Sequence, residues 1–309
     1  MTDNGIETLA KALRSPFPVI YLDFRSVDRF LYRIRDLRDL RDHLPDDLIE
    51  RLDRCHLYMI CKRPRLSLIP NSITWNADSI SLKVSCAFNG VTHEGDVQVI
   101  RPPELCDAKA FSASPFPHRE LLALDQDGQV TQEMLFANLA HLIESLPSFA
   151  QQLEVLYVGK GLAKNTQDRL TNHETLQKIL ADINSDDPES EVFALVYRFD
   201  YRRSVGGIVT DNTDVTEFLR QNRGLYKPTL DDQVSLIEAA TIAYFHTAKY
   251  NSHYINFPVT DTDAARRARE FGAAYIAVQI DTENIGGVPI YSQRVEPQAT
   301  HYVVHRIAR

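Results

Sequence analysis

The sequence predicts an α+β fold, with a small α/β unit that carries the chemistry placed after an N-terminal mixed α/β module. Three observations carry this. The 309 residues are 44% hydrophobic and 25% charged, enough to bury a core of two domains' size. Cys55 to Arg101 reads as a succession of β-type runs. After Pro147 the order becomes strand, glycine turn, helix, strand, helix.

Taking the elements in order, Pro18 to Phe24 is an apolar strand, and Ser26-Val27-Asp28 is a candidate cap for a following helix. That helix is expected from Leu31, Ile34, Leu37, Leu40 and Leu44, which recur every three or four residues. Arg33, Arg35, Asp36, Arg38, Asp39 and Arg41 fill the gaps with both signs of charge, as on a salt-bridged helix face rather than a nucleic-acid-binding arm. Cys55 to Cys61 reads as a buried strand, so its cysteines are structural, and no CxxC pair supports a zinc or redox site. Asn89-Gly90 between two β-rich runs predicts a hairpin, because both residues accept the positive φ of a tight primed turn. Prolines 102, 103, 115 and 117 break the chain. Leu135, Leu139, Leu142, Ile143 and Leu146 then predict a helix over 132–146 that Pro147 ends. A domain boundary is expected there, giving an N-terminal recognition or regulatory module over 1–147 and a second unit over 148–309.

The net charge of −8 argues against a wholly basic nucleic-acid-binding domain without excluding a local basic groove. Clusters such as Lys62/Arg63/Arg65, Arg198/Arg202/Arg203 and Arg266/Arg267/Arg269 read first as solvated surface. No apolar run approaches the roughly 20 residues that cross a bilayer, and no secretory pattern opens the chain. A cytoplasmic protein with no membrane partner is expected.

The unit after Pro147 holds the candidate chemistry. Glu154 to Val158 is a strand leading into Gly159-Lys160-Gly161, followed by a helix over about 166–183, a strand at Val192 to Phe199, an irregular insertion, and a helix from Leu230 to His246. Arg169 and His173 are four residues apart, hence on one helix face, suited to clamping a phosphate and relaying a proton. Glu238 is a carboxylate in an otherwise apolar helix, an oxygen donor of the kind magnesium takes while keeping several waters. Tyr157 and Lys160 sit at the strand end, where a tyrosine or its water acts as base. The spacing of Gly159-Lys160-Gly161 does not fit a P-loop.

Leu156-Tyr157-Val158-Gly159-Lys160-Gly161, then Arg169 and His173, then Leu236-Ile237-Glu238-Ala239-Ala240 and Lys249-Tyr250-Asn251, resemble the YIG half and later motifs of the GIY-YIG nuclease family. The resemblance spans Leu153 to Phe257, about a third of the chain. It implies a GIY-YIG-like catalytic unit and a divalent-metal-dependent endonuclease. Glu238 would hold Mg²⁺ (or Mn²⁺), Arg169 the scissile phosphate, and Asn251 would orient the site. The implied substrate is nucleic acid, DNA ahead of RNA, and the module plan would suit restriction or antiviral defence. A homodimer is compatible with cutting two strands. No Gly-Ile-Tyr precedes Tyr157 closely, and the missing strand is sought upstream at Glu120 to Leu124. That departure leaves the general base open among Tyr157, Lys160 and His173, and motivates a second reading, a catalytically decayed nucleic-acid-binding module. His301 and His305 read as structural or surface residues.

Overall fold

The structure, a computed structural model, describes residues 19–36, 44–161, 174–206 and 227–308. The fold is α+β. Its elements run β1 (Val19–Arg33), α1 (Asp46–Asp53), β2 (Leu57–Pro64), β3 (Leu66–Leu68), β4 (Thr74–Trp75), β5 (Ser79–Phe88), β6 (Val91–Ile100), β7 (Ala110–Ala113), β8 (Glu120–Leu124) and β9 (Val130–Leu135). There follow α2 (Ser148–Gln151), β10 (Leu153–Lys160), α3 (Glu174–Asp186), β11 (Ser190–Gly206), α4 (Leu230–Phe245), α5 (Asp263–Glu270), β12 (Ala273–Asp281), β13 (Ile290–Tyr291) and β14 (Thr300–Arg306).

One mixed sheet organises the molecule, in the order β13-β10-β2-β11-β1-β12-β14. Alternation along each strand separates its two faces. Leu57, Met59, Cys61, Phe193, Leu195, Tyr197, Val155 and Val158 pack with Leu236, Ile237 and Ala240 of α4 and Ala264, Ala265 and Ala268 of α5. The other face packs Tyr58, Ile60, Ala194 and Val196 against Leu176, Ile179 and Ile183 of α3. A separate core, Leu66 to Ala150, fills a module made of β3 to β9 and α2. That module is inserted between β2 and β10, which are neighbours in the sheet. Pro147 therefore does not separate one sheet from another. The prolines mark the end of the inserted module, while the strand ladder joins chain from both sides of it.

Three further expectations change. β1 continues to Arg33, so Leu31, expected to begin a helix, lies in a strand; Ile34–Asp36 is a single 3-10 turn, and 37–43 lie outside the described residues. Its ladder to β11 spans Val19↔Gly206 to Arg33↔Phe193, and these long-range bonds outweigh the local helical spacing. Ser26-Val27-Asp28 is not a helix cap. The register shifts between Ser26 and Asp28, making a bulge whose side chains turn to ion pairing and hydrogen bonding: Asp28 meets Arg51 and Arg198, and Ser26 donates to Asp281. The helix expected over 132–146 is strand β9 up to Leu135, paired with β8, then 3-10 turns over Phe136–Leu142.

Local signals hold elsewhere. Asn89 (φ 51) and Gly90 (φ 73) make the β5–β6 turn. Thr229 caps α4 by accepting the Asp232 N–H at 3.2 Å, and His246 closes it in the left-handed region (φ 51). Cys55, Cys61 and Cys86 are buried and Cys106 is exposed, all four unbridged. His301 Nε2 lies 3.0 Å from the Ile290 carbonyl and His305 Nε2 3.1 Å from that of Ala240. No helix of the described residues is long and apolar enough to cross a membrane.

Candidate functional site

β10 is the element around which the candidate residues gather. Its antiparallel neighbour is β2, in register Tyr157↔Ile60, Gly159↔Tyr58 and Lys160↔Leu57, with a bulge between Val155 and Tyr157. The strand sought at Glu120 to Leu124 is instead β8, in the three-stranded sheet β7-β8-β9, away from β10. β2 therefore brings Tyr58, Leu57 and His56 beside Gly159, Lys160 and Gly161. The Tyr58 and Tyr157 rings lie 6.0 Å apart at 40°, on the α3 side of the sheet.

Gly159 is a residue of strand β10 rather than of a turn. What its position demands is the absence of a side chain. A Cβ there would stand 2.6 Å from Tyr58 Cζ and Oη and 2.8 Å from Tyr157 Cε1. Both phenol rings thus close over the glycine, and only hydrogen at that Cα allows the approach.

Lys160 points to the opposite face, toward α4. Its ammonium donates to Ser235 Oγ at 2.7 Å and lies 3.5 Å from Asp231 Oδ1. Asp231, Ser235 and Glu238 follow at four and three residues, so they share one stripe of α4. Glu238 is half-buried there, one helical turn beyond the lysine's hydroxyl partner.

Asn251 is buried and grips β10 from the edge. Its Oδ1 accepts the Val158 N–H at 3.1 Å and its Nδ2 donates to the Val158 carbonyl at 2.8 Å. Thr247 Oγ1 donates to the same Oδ1 at 2.6 Å. β13 pairs only with Leu153 and Glu154, so the amide stands in for a strand partner where the ladder has stopped. Next to it, the Tyr250 hydroxyl donates to Asp182 of α3 at 2.9 Å and Lys249 lies 3.2 Å from the same carboxylate. The Tyr250 hydrogen bond, with Lys249, holds the Asp182 carboxyl below its usual range. The Lys249-Tyr250-Asn251 segment thus ties α3 to β10.

Arg169 and His173 lie outside the described residues, in the segment joining β10 to α3. Tyr157, Lys160 and Asn251 all lie on or against β10, but Tyr157 faces α3 whereas Lys160 reaches α4, the helix that carries Glu238, so the sheet stands between the tyrosine pair and that carboxylate. Two residues escaped the sequence reading. Tyr58 is fully buried under Tyr157, and His56 accepts the Gly161 N–H on its carbonyl at 2.9 Å. Burial lowers the His56 pKa against an opposing pull from the Gly161 backbone, and its Nδ1 is buried without a hydrogen-bond partner. His56-Leu57-Tyr58 stands in the apolar run Cys55 to Cys61, which the sequence marks as a buried strand, and only its pairing with β10 sets it here.

Among the described residues no group of three or more His, Cys, Asp or Glu gathers to cage a metal. One helix-borne carboxylate nevertheless fits Mg²⁺ or Mn²⁺, which binds through one or two carboxylates and completes its shell with water and substrate phosphate oxygens. Lys160 reaches the same helix one turn earlier, at Ser235, with Asp231 3.5 Å from its ammonium. Comparison with protein-family models, characterised proteins and solved structures returns no match.

Proposed function

We propose that this chain is a divalent-metal-dependent endonuclease with a GIY-YIG-like catalytic unit, acting on DNA ahead of RNA. The observation that carries the reading is the closure of Tyr58 and Tyr157 over Gly159, from adjacent antiparallel strands far apart in sequence. The resemblance asks for a tyrosine-bearing strand paired to the YIG strand, and β2 supplies one, with His56 in place of glycine. The wall between them is a folded module, which explains why the two halves are not read as one motif.

The chemistry follows from the residues. Hydrolysis of a phosphodiester needs a proton removed from the attacking water, a hold on the phosphate, and charge to offset what develops on its oxygens. Tyr157 with His173 handles the proton and Arg169 clamps the phosphate oxygens, while Lys160 adds positive charge on the opposite, α4 face of β10, so the substrate has to pass the end of the strand to meet both. Gly159 fixes the tyrosine pair by letting it close, and Asn251 fixes β10. Glu238 would hold Mg²⁺ or Mn²⁺, which would supply Lewis-acid charge to a phosphate bound there. The inserted module over β3 to β9 is the natural recognition or regulatory element, and a role in restriction or antiviral defence, in the cytoplasm, with two copies cutting two strands, suits that plan.

The test is cleavage of supercoiled plasmid, single-stranded DNA and structured RNA with Mg²⁺ or Mn²⁺, beside Glu238→Ala and Arg169→Ala. Metal-dependent products lost in both variants support the reading. A second reading, a decayed nucleic-acid-binding module, is favoured by one observation, the histidine at the glycine position of the first motif. It requires salt-dependent binding without products.

A further inference from the structure

On the tyrosine-pair face of the sheet, but beyond α3, the strands β11, β1, β12 and β14 line a cavity of about 230 Å³. Its face follows from alternation. Ile20, Leu22 and Phe24 enter the core beneath α4 and α5, so Tyr21, Asp23 and Arg25 project the other way. The bulge after Ser26 shifts the parity, which puts Phe30 and Tyr32 of the same strand on this face as well, against the α3 core.

The lining is chemically specific. Tyr21 is 4% exposed, and its hydroxyl is buried with no hydrogen-bond partner. Its ring stacks on Tyr275, centroids 5.3 Å apart at 21°. Arg25 Nε donates to Asp23 Oδ2 at 3.0 Å, so a donor-rich fork and a carboxylate stand side by side in the wall. Gln279 adds an amide with both a donor and an acceptor, and Tyr302, 41% exposed, offers a ring at the rim.

We propose that this cavity binds a single unstacked nucleobase, taken either from a nucleic-acid strand or from a free nucleotide. A base is planar, which suits the tyrosine rings, and it carries donors and acceptors along one edge, which suits the Asp23, Arg25 and Gln279 set. The volume admits one base. Tyr21 forms part of the wall with its hydroxyl shut away from solvent, so Arg25 and Gln279 are the donors that reach an acceptor on the base. Burial, then Tyr275, raises the Tyr21 pKa to about 12, so the hydroxyl stays protonated. The cavity lies roughly 25 Å from the tyrosine pair by strand spacing and rise, a reach of about seven nucleotides of stacked strand. This inference rests on the nuclease reading for its nucleic-acid source, and would then give the enzyme a base-selecting contact separate from the cut.

The experiment titrates wild-type protein with adenosine, guanosine, cytidine and thymidine, and with single strands of about 15 deoxynucleotides of one base each. Tyr21→Phe, Gln279→Ala and Tyr302→Ala are run in parallel, with thermal unfolding as the fold control. Tyr21→Phe keeps the buried ring and Tyr302→Ala alters an exposed one, so both remain folded. Saturable binding that prefers one base, weakened about tenfold or more by Gln279→Ala, is expected. Loss of strand affinity in the variants identifies the base of a strand; nucleoside binding without strand dependence identifies a free nucleotide. Binding lost in the variants while no substrate is cut by wild type leaves the cavity assignment standing and removes the nuclease reading. No nucleoside binding, or variants that bind and select like wild type, overturns the proposal.

Discussion

Gly159→Ala is the most informative single change. The added methyl would lie 2.6 Å from the Tyr58 phenol and 2.8 Å from the Tyr157 ring, whereas carbon contacts relax to about 3.5 Å or more. One ring must retreat by about 1 Å. Tyr58 has nowhere to go, since it is 1% exposed among Cys55, Ile60, Leu176 and Ile179. Overpacking of this kind costs ~1–3 kcal/mol, which for a chain of 309 residues lowers the midpoint of thermal unfolding by roughly 2–5 °C. The effect on chemistry is larger, because a displacement of about 1 Å in a positioned group costs on the order of a hundredfold in rate. Thermal unfolding and initial cleavage rates measure the two effects. Tyr58→Phe in the Gly159→Ala background should return some of the stability by removing the crowded oxygen. A Gly159→Ala protein as stable and as active as wild type would refute the argument that the tyrosines close over this glycine.

Other outcomes follow from neighbouring geometry. Asn251→Ala leaves the Val158 N–H and carbonyl without partners, so denaturant unfolding should show a loss of ~2–5 kcal/mol, with Asn251→Asp losing the carbonyl partner alone. Lys160→Ala and Ser235→Ala should be non-additive in cleavage rate, because the hydroxyl acts through the ammonium it holds at 2.7 Å; additive effects in a double-mutant cycle would contradict that. His141 has its pKa pushed down to about 4, first by burial and then by Arg63. The unfolded state therefore binds the proton first as pH falls, and this contribution to stability is full above pH about 6.5 and declines toward pH about 4. Unfolding midpoints across that window should fall less steeply in His141→Gln than in wild type.

What was legible in the sequence was local. Asn89-Gly90 specifies its turn by φ alone, and Leu230 to His246 carries its own cap, apolar run and left-handed stop, so hairpin and helix could be read where they stand. β10 with Tyr157 and Lys160 was readable for the same reason. The long-range ladders were not. β1 shows helical spacing from Leu31 onward, and only its pairing with β11, distant in sequence, makes it a strand to Arg33. Tyr58 was hidden because the strand that carries it meets β10 across an inserted module with a core of its own. Gly159 was read as part of a glycine turn, whereas it lies in β10 and its role is steric, which needs the Tyr58 ring to be seen. Asn251, expected to orient the site, bonds both the N–H and the carbonyl of Val158, a contact no side-chain pattern announces.

The most direct test of the central claim is the rate of Mg²⁺- or Mn²⁺-dependent cleavage of plasmid DNA by wild type, Tyr157→Phe and Glu238→Ala, with folding verified for each. The account predicts products from wild type alone, abolished by chelation and restored by added metal. Products undiminished in Glu238→Ala, or cleavage indifferent to chelation, would contradict it.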